Sequence, residues 1–184
     1  MDEGHMGNEG NYGNEKASVE GKTAVKGESA EKEFKPEPKK KTINELEVVS
    51  LLIIAILGRI LLEPLPSVEP IIPIAVFAGL AYGGNAGILI GLLAYPISNF
   101  FMLGGPFGLW SVLQATGGAI AGGLAGAKKL SVNNLLYYTF IGTIIFELLL
   151  NVGDGAFLVW PYSVTHIVSN LVIALIISLG IKEK

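Results

Sequence analysis

The sequence predicts an all-α membrane protein: a six-transmembrane-helix bundle preceded by a disordered N-terminal tail. Three observations predict it. Charge is segregated: residues 1–41 hold nine of the 16 acids and eight of the 13 bases, leaving seven acids and five bases for the other 143 residues. A soluble domain of that length carries far more charge, about 25% of its residues. Beyond residue 41, long apolar runs alternate with short turn signals at the spacing of membrane-spanning helices. Lysine is confined to alternate connections.

The tail, residues 1–41, is rich in Gly, Glu, Lys, Asn and Ser. Its few large apolar side chains, among them Met1, Met6, Tyr12 and Phe34, bury too little surface to offset ordering entropy. It reads as a disordered cytoplasmic segment, and residues 42–184 as the membrane domain. The polar start predicts no cleavable signal peptide, so the first apolar run acts as the anchor.

Six runs follow. Glu47–Leu62 ends at Glu63-Pro64-Leu65-Pro66, Pro70–Tyr82 is short, and Asn85–Leu103 ends at Gly104-Gly105-Pro106. Leu109–Ala127 ends at Lys128-Lys129, Asn133–Val152 at Gly153-Asp154-Gly155, and Tyr162–Ile181 at Lys182-Glu183-Lys184. The Gly83-Gly84 pair either ends the second run or bends it, and five spans is the alternative count. With the N-terminus inside, the inner segments carry Lys39, Lys40, Lys41, Lys128, Lys129, Lys182 and Lys184. The outer loops carry Glu63, Glu69 and Asp154 and no Lys or Arg. That is the positive-inside pattern, and it favours six spans with both termini cytoplasmic in a multi-pass plasma-membrane protein.

Polar residues then fall in the outer half. Arg59 and Glu63, Trp110 and Gln114, Glu147 and Asn151, and the series Tyr162, His166, Asn170 are each spaced by four, so each set shares a helix face. Ser98 and Asn99 lie at the same depth of the third run. A charge at a span centre costs about 2.5–3.5 kcal/mol on insertion scales. Arg59 and Glu147 either pair with each other and hold the bundle together or line an outward-facing pocket. The shared depth across five runs favours the pocket. The inner halves carry small-residue ladders instead, Gly83, Gly87, Gly91 and Gly118, Gly122, Gly126, suited to close helix packing in lipid.

Several functions are excluded or weakened. The chain has no cysteine, so disulfides and thiolate chemistry are absent. His166 has no second histidine in the bundle, which argues against a metal site. No basic footprint for nucleic acid is present. Ser163 precedes His166 without a nucleophile elbow. No GxxxxGK[ST] pattern occurs, so no ATPase of that type is carried. Trp110 and Trp160 fit an aromatic belt as well as ligand stacking.

The stretch Arg59–Pro73, then Ala78–Gly83, Gly87, Gly91, Ser98-Asn99-Phe100-Phe101, Gly105–Trp110 and Gln114, resembles the substrate-binding S components of energy-coupling factor transporters. It is closest in look to the cobalamin-associated branch. Phe107 stands where that branch has a first tryptophan, while Trp110 and Gln114 match; His166 and Asn170 are also similar. The resemblance covers roughly 70 residues well and the rest in layout. It implies a subunit of an ATP-binding-cassette importer that captures a vitamin-like molecule, cobalamin or a related cofactor precursor, at the outer face. It implies a transmembrane coupling subunit and ABC ATPases as partners, with ATP used by those partners and no cofactor on this chain. Ala55 and Gly58 occupy the region where that family docks its coupling subunit.

The expected substrate-binding set is Arg59, Glu63, Asn99, Trp110, Gln114, Glu147, Asn151, His166 and Asn170, with no catalytic residue and no metal ligand. Arg59 is expected to pair with an anionic ligand group or with Glu147. The alternatives are a membrane-embedded enzyme acting on a lipid or prenyl substrate and a structural membrane protein. The residue types would equally suit thiamin-like, biotin-like or queuosine-like ligands.

Overall fold

The computed structural model describes residues 44–102, 108–152 and 161–181, all within one compact unit. The tail, the Gly104–Phe107 motif, Asp154, Trp160 and the lysines at 39–41, 182 and 184 lie outside the described residues.

Six helices and no strand occur among the described residues: α1 (Glu45–Leu61), α2 (Ile71–Tyr82), α3 (Gly84–Phe101), α4 (Leu109–Ala125), α5 (Val132–Val152) and α6 (Tyr162–Ser178). Each falls on one of the six apolar runs. The Asn44 side chain caps α1 by accepting from the Leu46 amide at 3.2 Å, with Glu45 and Glu47 complementing the positive end of the helix dipole. Ser131 Oγ accepts from the Asn134 amide at 3.2 Å at the start of α5.

The twelve-residue α2 is the centre of the bundle. It packs against all five other helices and is buried from Ile71 to Leu80 except at the partly buried Phe77. Its run of apolar residues therefore shows no polar face, as expected for a core helix. Gly83 separates it from α3. Its backbone has φ +102° and ψ 162°, a conformation open almost only to glycine. The pair Gly83-Gly84 thus ends the second helix and does not merely bend it. A Cβ at Gly83 meets nothing within 4 Å, so Gly83→Ala isolates backbone strain. We expect it to lower stability by about 1–3 kcal/mol, read as a lower melting temperature with unchanged helicity.

The tightest helix pair is α3 on α4. A Cβ on Gly84 or Gly126, on Gly87 or Gly122, or on Gly91 or Gly118 would strike the facing helix, in the last two pairs within 2.1–3.1 Å of its backbone or of Tyr95. The helices run antiparallel along this glycine seam. The seam corrects the first ladder at one position: Gly84, not Gly83, faces Gly126, while Gly83 is the turn.

Among the described residues the surface is largely apolar, and the interior sets polar side chains beside an apolar core. Large hydrophobic side chains are exposed on all the long helices, among them Ile53, Ile54, Leu57, Leu92, Val172 and Leu175. Arg59, Ser98, Asn99, Thr139, Thr143, Glu147, His166 and Asn170 are buried. Two helices, Gly84–Phe101 and Val132–Val152, are long and apolar enough to cross a membrane. Ile71–Tyr82 and Tyr162–Ser178 are shorter apolar helices.

The docking residues are corrected by burial. Ala55 is fully buried, and a Cβ on Gly58 would lie 2.8 Å from Pro70 Cγ. Both face inward, on the side of α1 that also carries Val48 and Arg59. An almost uniformly apolar helix gives no sequence signal for which face turns in, and here the face follows Arg59.

Candidate functional site

At the end of the bundle where α1 and α3 finish and α4 and α6 begin, a cavity of about 260 Å³ opens beneath the segment linking α1 to α2. Arg59, Gln114, Glu147 and His166 reach it from four helices, and Glu63 and Glu69 from the linking segment. Its apolar wall includes Val68, Phe146 and Leu150.

The linking segment is itself shaped to reach inward. Ser67 adopts φ +59°, unusual for a residue with a side chain. The Ser169 hydroxyl donates to the Ser67 carbonyl at 3.0 Å, tying the segment to α6. Pro66 and Pro70 restrict it further. The outcome is Glu69, only 8% exposed, inserted among the helices.

Glu69 is the hub. Arg59 Nε donates to its Oε2 at 2.8 Å and the Tyr95 hydroxyl donates to its Oε1. His166 Nε2 stands 3.2 Å from the same Oε1, but without the alignment of a hydrogen bond. Arg59 continues through Nη1 to Ser98 Oγ at 2.7 Å and Asn99 Oδ1 at 2.5 Å, and through Nη2 toward Gln114 Oε1 at 3.5 Å. Asn99 Nδ2 in turn donates to Ser111 Oγ at 2.9 Å and Gln114 Oε1 at 3.0 Å. On the other side, His166 Nδ1 lies 2.5 Å from Glu147 Oε1. Glu147 Oε2 accepts from Asn151 Nδ2 at 3.0 Å and from the Ser163 hydroxyl. One network thus joins α1, α3, α4, α5, α6 and the linking segment.

Aromatic contacts floor it. The Arg59 guanidinium carbon sits 4.9 Å over the Tyr95 ring, Tyr95 stacks on Phe146 at 5.1 Å, and Phe146 meets His166 edge-on at 5.1 Å. Burial works to raise the Glu69 carboxyl. The facing His166 ring and the Arg59 guanidinium outweigh it and hold the group at about 2, against an ordinary 4.5.

The sequence-predicted residues divide accordingly. Arg59, Glu63, Gln114, Glu147 and His166 line the cavity. Asn99 and Asn151 stand behind the wall, as the groups that orient Arg59 and Glu147. Asn170 is fully buried one turn beyond His166 and donates to Thr143 Oγ1 at 3.1 Å. Trp110 does not line the cavity; its side chain is 39% exposed at the start of α4. The ion partner of Arg59 is also corrected: Glu69 pairs with it, while Glu147 pairs with His166.

Sequence reasoning missed Glu69, Tyr95, Phe146, Ser111 and Ser163 as members of the site. Tyr95 had a usable signal, since it shares a face with Ser98 and Asn99 at spacings of three and four. Glu69 had none, because a loop residue has no helical period.

The fold and site define an all-helical protein with an apolar exterior and a small cavity floored by a buried ion network. The chain belongs to a family of unknown function, DUF6580, whose model matches residues 39–178. No curated protein matches the chain. No solved structure matches it.

Proposed function

We propose that this chain is a solute-binding membrane subunit of the energy-coupling factor S-component type, capturing a small molecule at the outer face for uptake driven by partner subunits. The observation that carries the reading is the inverted polarity: hydrophobic side chains outside, a cavity over charged and amide groups inside. A soluble protein rarely exposes such continuous apolar surface, and ionisable groups inside a membrane bundle mark solute or ion sites. In this reading all six helices lie in the bilayer. The short α2 is sheltered by its neighbours, the cavity faces outward, and Lys128-Lys129 at the far end of α4 faces the cytoplasm.

The sequence carries no P-loop ATPase motif, so uptake requires ABC ATPases and a coupling subunit supplied separately. Because Ala55 and Gly58 face inward, the exposed Ile53, Ile54 and Leu57 side of α1 is the surface left for that subunit. The ligand is small and vitamin-like. A cavity of about 260 Å³ lies just below the usual range of roughly 300–1,000 Å³ for small-molecule sites.

The test is mass spectrometry of small molecules that co-purify with the detergent-solubilised full chain, followed by a binding assay on the compound found. Arg59→Gln is expected to weaken that compound by about tenfold or more, the cost of roughly one charge-assisted hydrogen bond. Affinity equal to wild type in a variant of normal helicity would remove Arg59 from the binding role. The absence of any co-purifying or bindable solute would sink the reading.

A further inference from the structure

An Asn or Gln amide is oriented by its neighbours, and here one permanent cation sets a chain of two. Arg59 only donates. Its Nη1 reaches Asn99 Oδ1 at 2.5 Å, which leaves Asn99 Nδ2 as the donor on the other side. Asn99 Nδ2 donates to Gln114 Oε1 at 3.0 Å, and Arg59 Nη2 points to the same oxygen at 3.5 Å. Both neighbours of that oxygen are donors, so Gln114 Oε1 is fixed there and Nε2 is turned away from them. Gln114 is 9% exposed and lines the cavity, and among the described residues nothing accepts from its Nε2. A nearly enclosed donor without an acceptor bears its full desolvation penalty, so this nitrogen is where a ligand oxygen gains most.

A second observation concerns charge. The buried charged side chains among the described residues, Arg59, Glu69, Glu147 and His166, close on one another. Glu69 faces Arg59 Nε at 2.8 Å, and the His166 ring lies between Glu147 Oε1 at 2.5 Å and Glu69 Oε1 at 3.2 Å. Within this set an anion finds no cation without a carboxylate beside it, and a cation finds no carboxylate without a counter-charge. Glu69 and Glu147 both line the cavity, and a carboxylate has about four lone-pair sites, more than their partners here use. The lining thus combines a neutral double donor with acceptor oxygens whose charge is already met. Val68, Phe146 and Leu150 add an apolar wall suited to a carbon skeleton.

We infer that the cavity takes a small neutral carboxamide, open-chain or cyclic, whose carbonyl oxygen accepts from Gln114 Nε2 and whose N–H donates to a carboxylate of the wall. The inference rests on the solute-binding reading and narrows it to a neutral ligand with a carbonyl acceptor. The ligand oxygen takes the donor that the protein leaves unmet, and its hydrocarbon part lies along Phe146. Arg59 acts here as a positioning residue, holding the Gln114 amide so that Nε2 faces the ligand.

The test uses the full chain in detergent and a panel of primary amides from propionamide to benzamide, each matched with the carboxylate and the amidinium of the same skeleton. Half-saturating concentrations are read from melting-temperature shifts. At least one amide is expected to bind about tenfold or more tightly than both of its charged isosteres. Gln114→Glu keeps an acceptor for Arg59 and Asn99 and replaces only the NH2. It is expected to weaken that amide by about tenfold or more and to remove its advantage over the amidinium. Gln114→Met removes the donor without adding a charge and serves where Gln114→Glu does not fold; where neither folds, the wild-type ranking decides. Amide binding unchanged in a folded Gln114 variant overturns the inference. A carboxylate or amidinium that binds as well as its amide also overturns it and leaves solute binding standing. Where the panel is silent, a neutral co-purifying compound with an amide carbonyl supports the inference and any other co-purifying ligand overturns it. Silence from the panel together with no co-purifying molecule overturns both readings.

Discussion

Glu69→Ala is expected to be the most damaging single substitution in the site, lowering stability by about 3–5 kcal/mol, the cost of leaving one member of a buried ion pair uncompensated. Arg59 is 5% exposed and Glu69 is its charged partner at 2.8 Å. The Tyr95 hydroxyl loses its acceptor in the same change. Removing both charges should do less harm than removing one. The double variant Arg59→Met, Glu69→Leu is therefore expected to melt above Glu69→Ala, and the single effects to be strongly non-additive. Additive losses would show that the pair is not coupled.

The pH dependence has a definite sign. A carboxyl held at about 2 when folded, against 4.5 in the unfolded chain, contributes stability that is fully present above 4.5. That stability is lost as pH falls from 4.5 toward 2. Glu69→Gln is expected to flatten this part of the stability curve; an unchanged slope would assign it to other groups.

The second large effect is expected at the glycine seam. A Cβ on Gly91 would lie 2.1 Å from the Gly118 carbonyl carbon and 2.4 Å from the Ala119 nitrogen. These are backbone atoms, which no rotamer change can move aside. Gly91→Val must push α3 off α4, at or beyond the usual overpacking cost of about 1–3 kcal/mol, and folded protein should be largely lost. Gly123→Ala on α4 is the control. Its Cβ would meet Ile88 Cγ1 at 2.9 Å, a side-chain atom of an exposed residue that can shift outward where backbone cannot. We expect this variant to purify as a single species with a melting temperature close to wild type. Equal behaviour of Gly123→Ala and Gly91→Ala would show that the seam is not the tight contact.

Much of the fold was legible because its punctuation is local. Pro64 and Pro66, Gly83 and the Lys128-Lys129 pair each mark a helix end that the structure places within a few residues. Arg59, Glu147 and His166 were legible because charge within an apolar run is conspicuous. Their pairing was not. Arg59 had two acids within reach on sequence grounds, Glu63 by spacing and Glu147 by depth. The partner at 2.8 Å is Glu69, brought in by the turn at Ser67 and the tie from Ser169, 102 residues further on. Which way α1 rotates was hidden for a related reason. Beyond its first turn its composition is apolar, which leaves the choice to Arg59 and its distant partners.

The seam between α3 and α4 also bears on motion. Contact made by main-chain atoms has no side-chain torsions to exchange, so it offers one arrangement and a steep loss on either side of it. The two helices therefore move as a single body, and the amides facing the seam should exchange with solvent among the slowest in the chain. Under the proposed solute-binding role, shape change falls to the parts held by longer side chains: α1, α6 and the segment that carries Glu69.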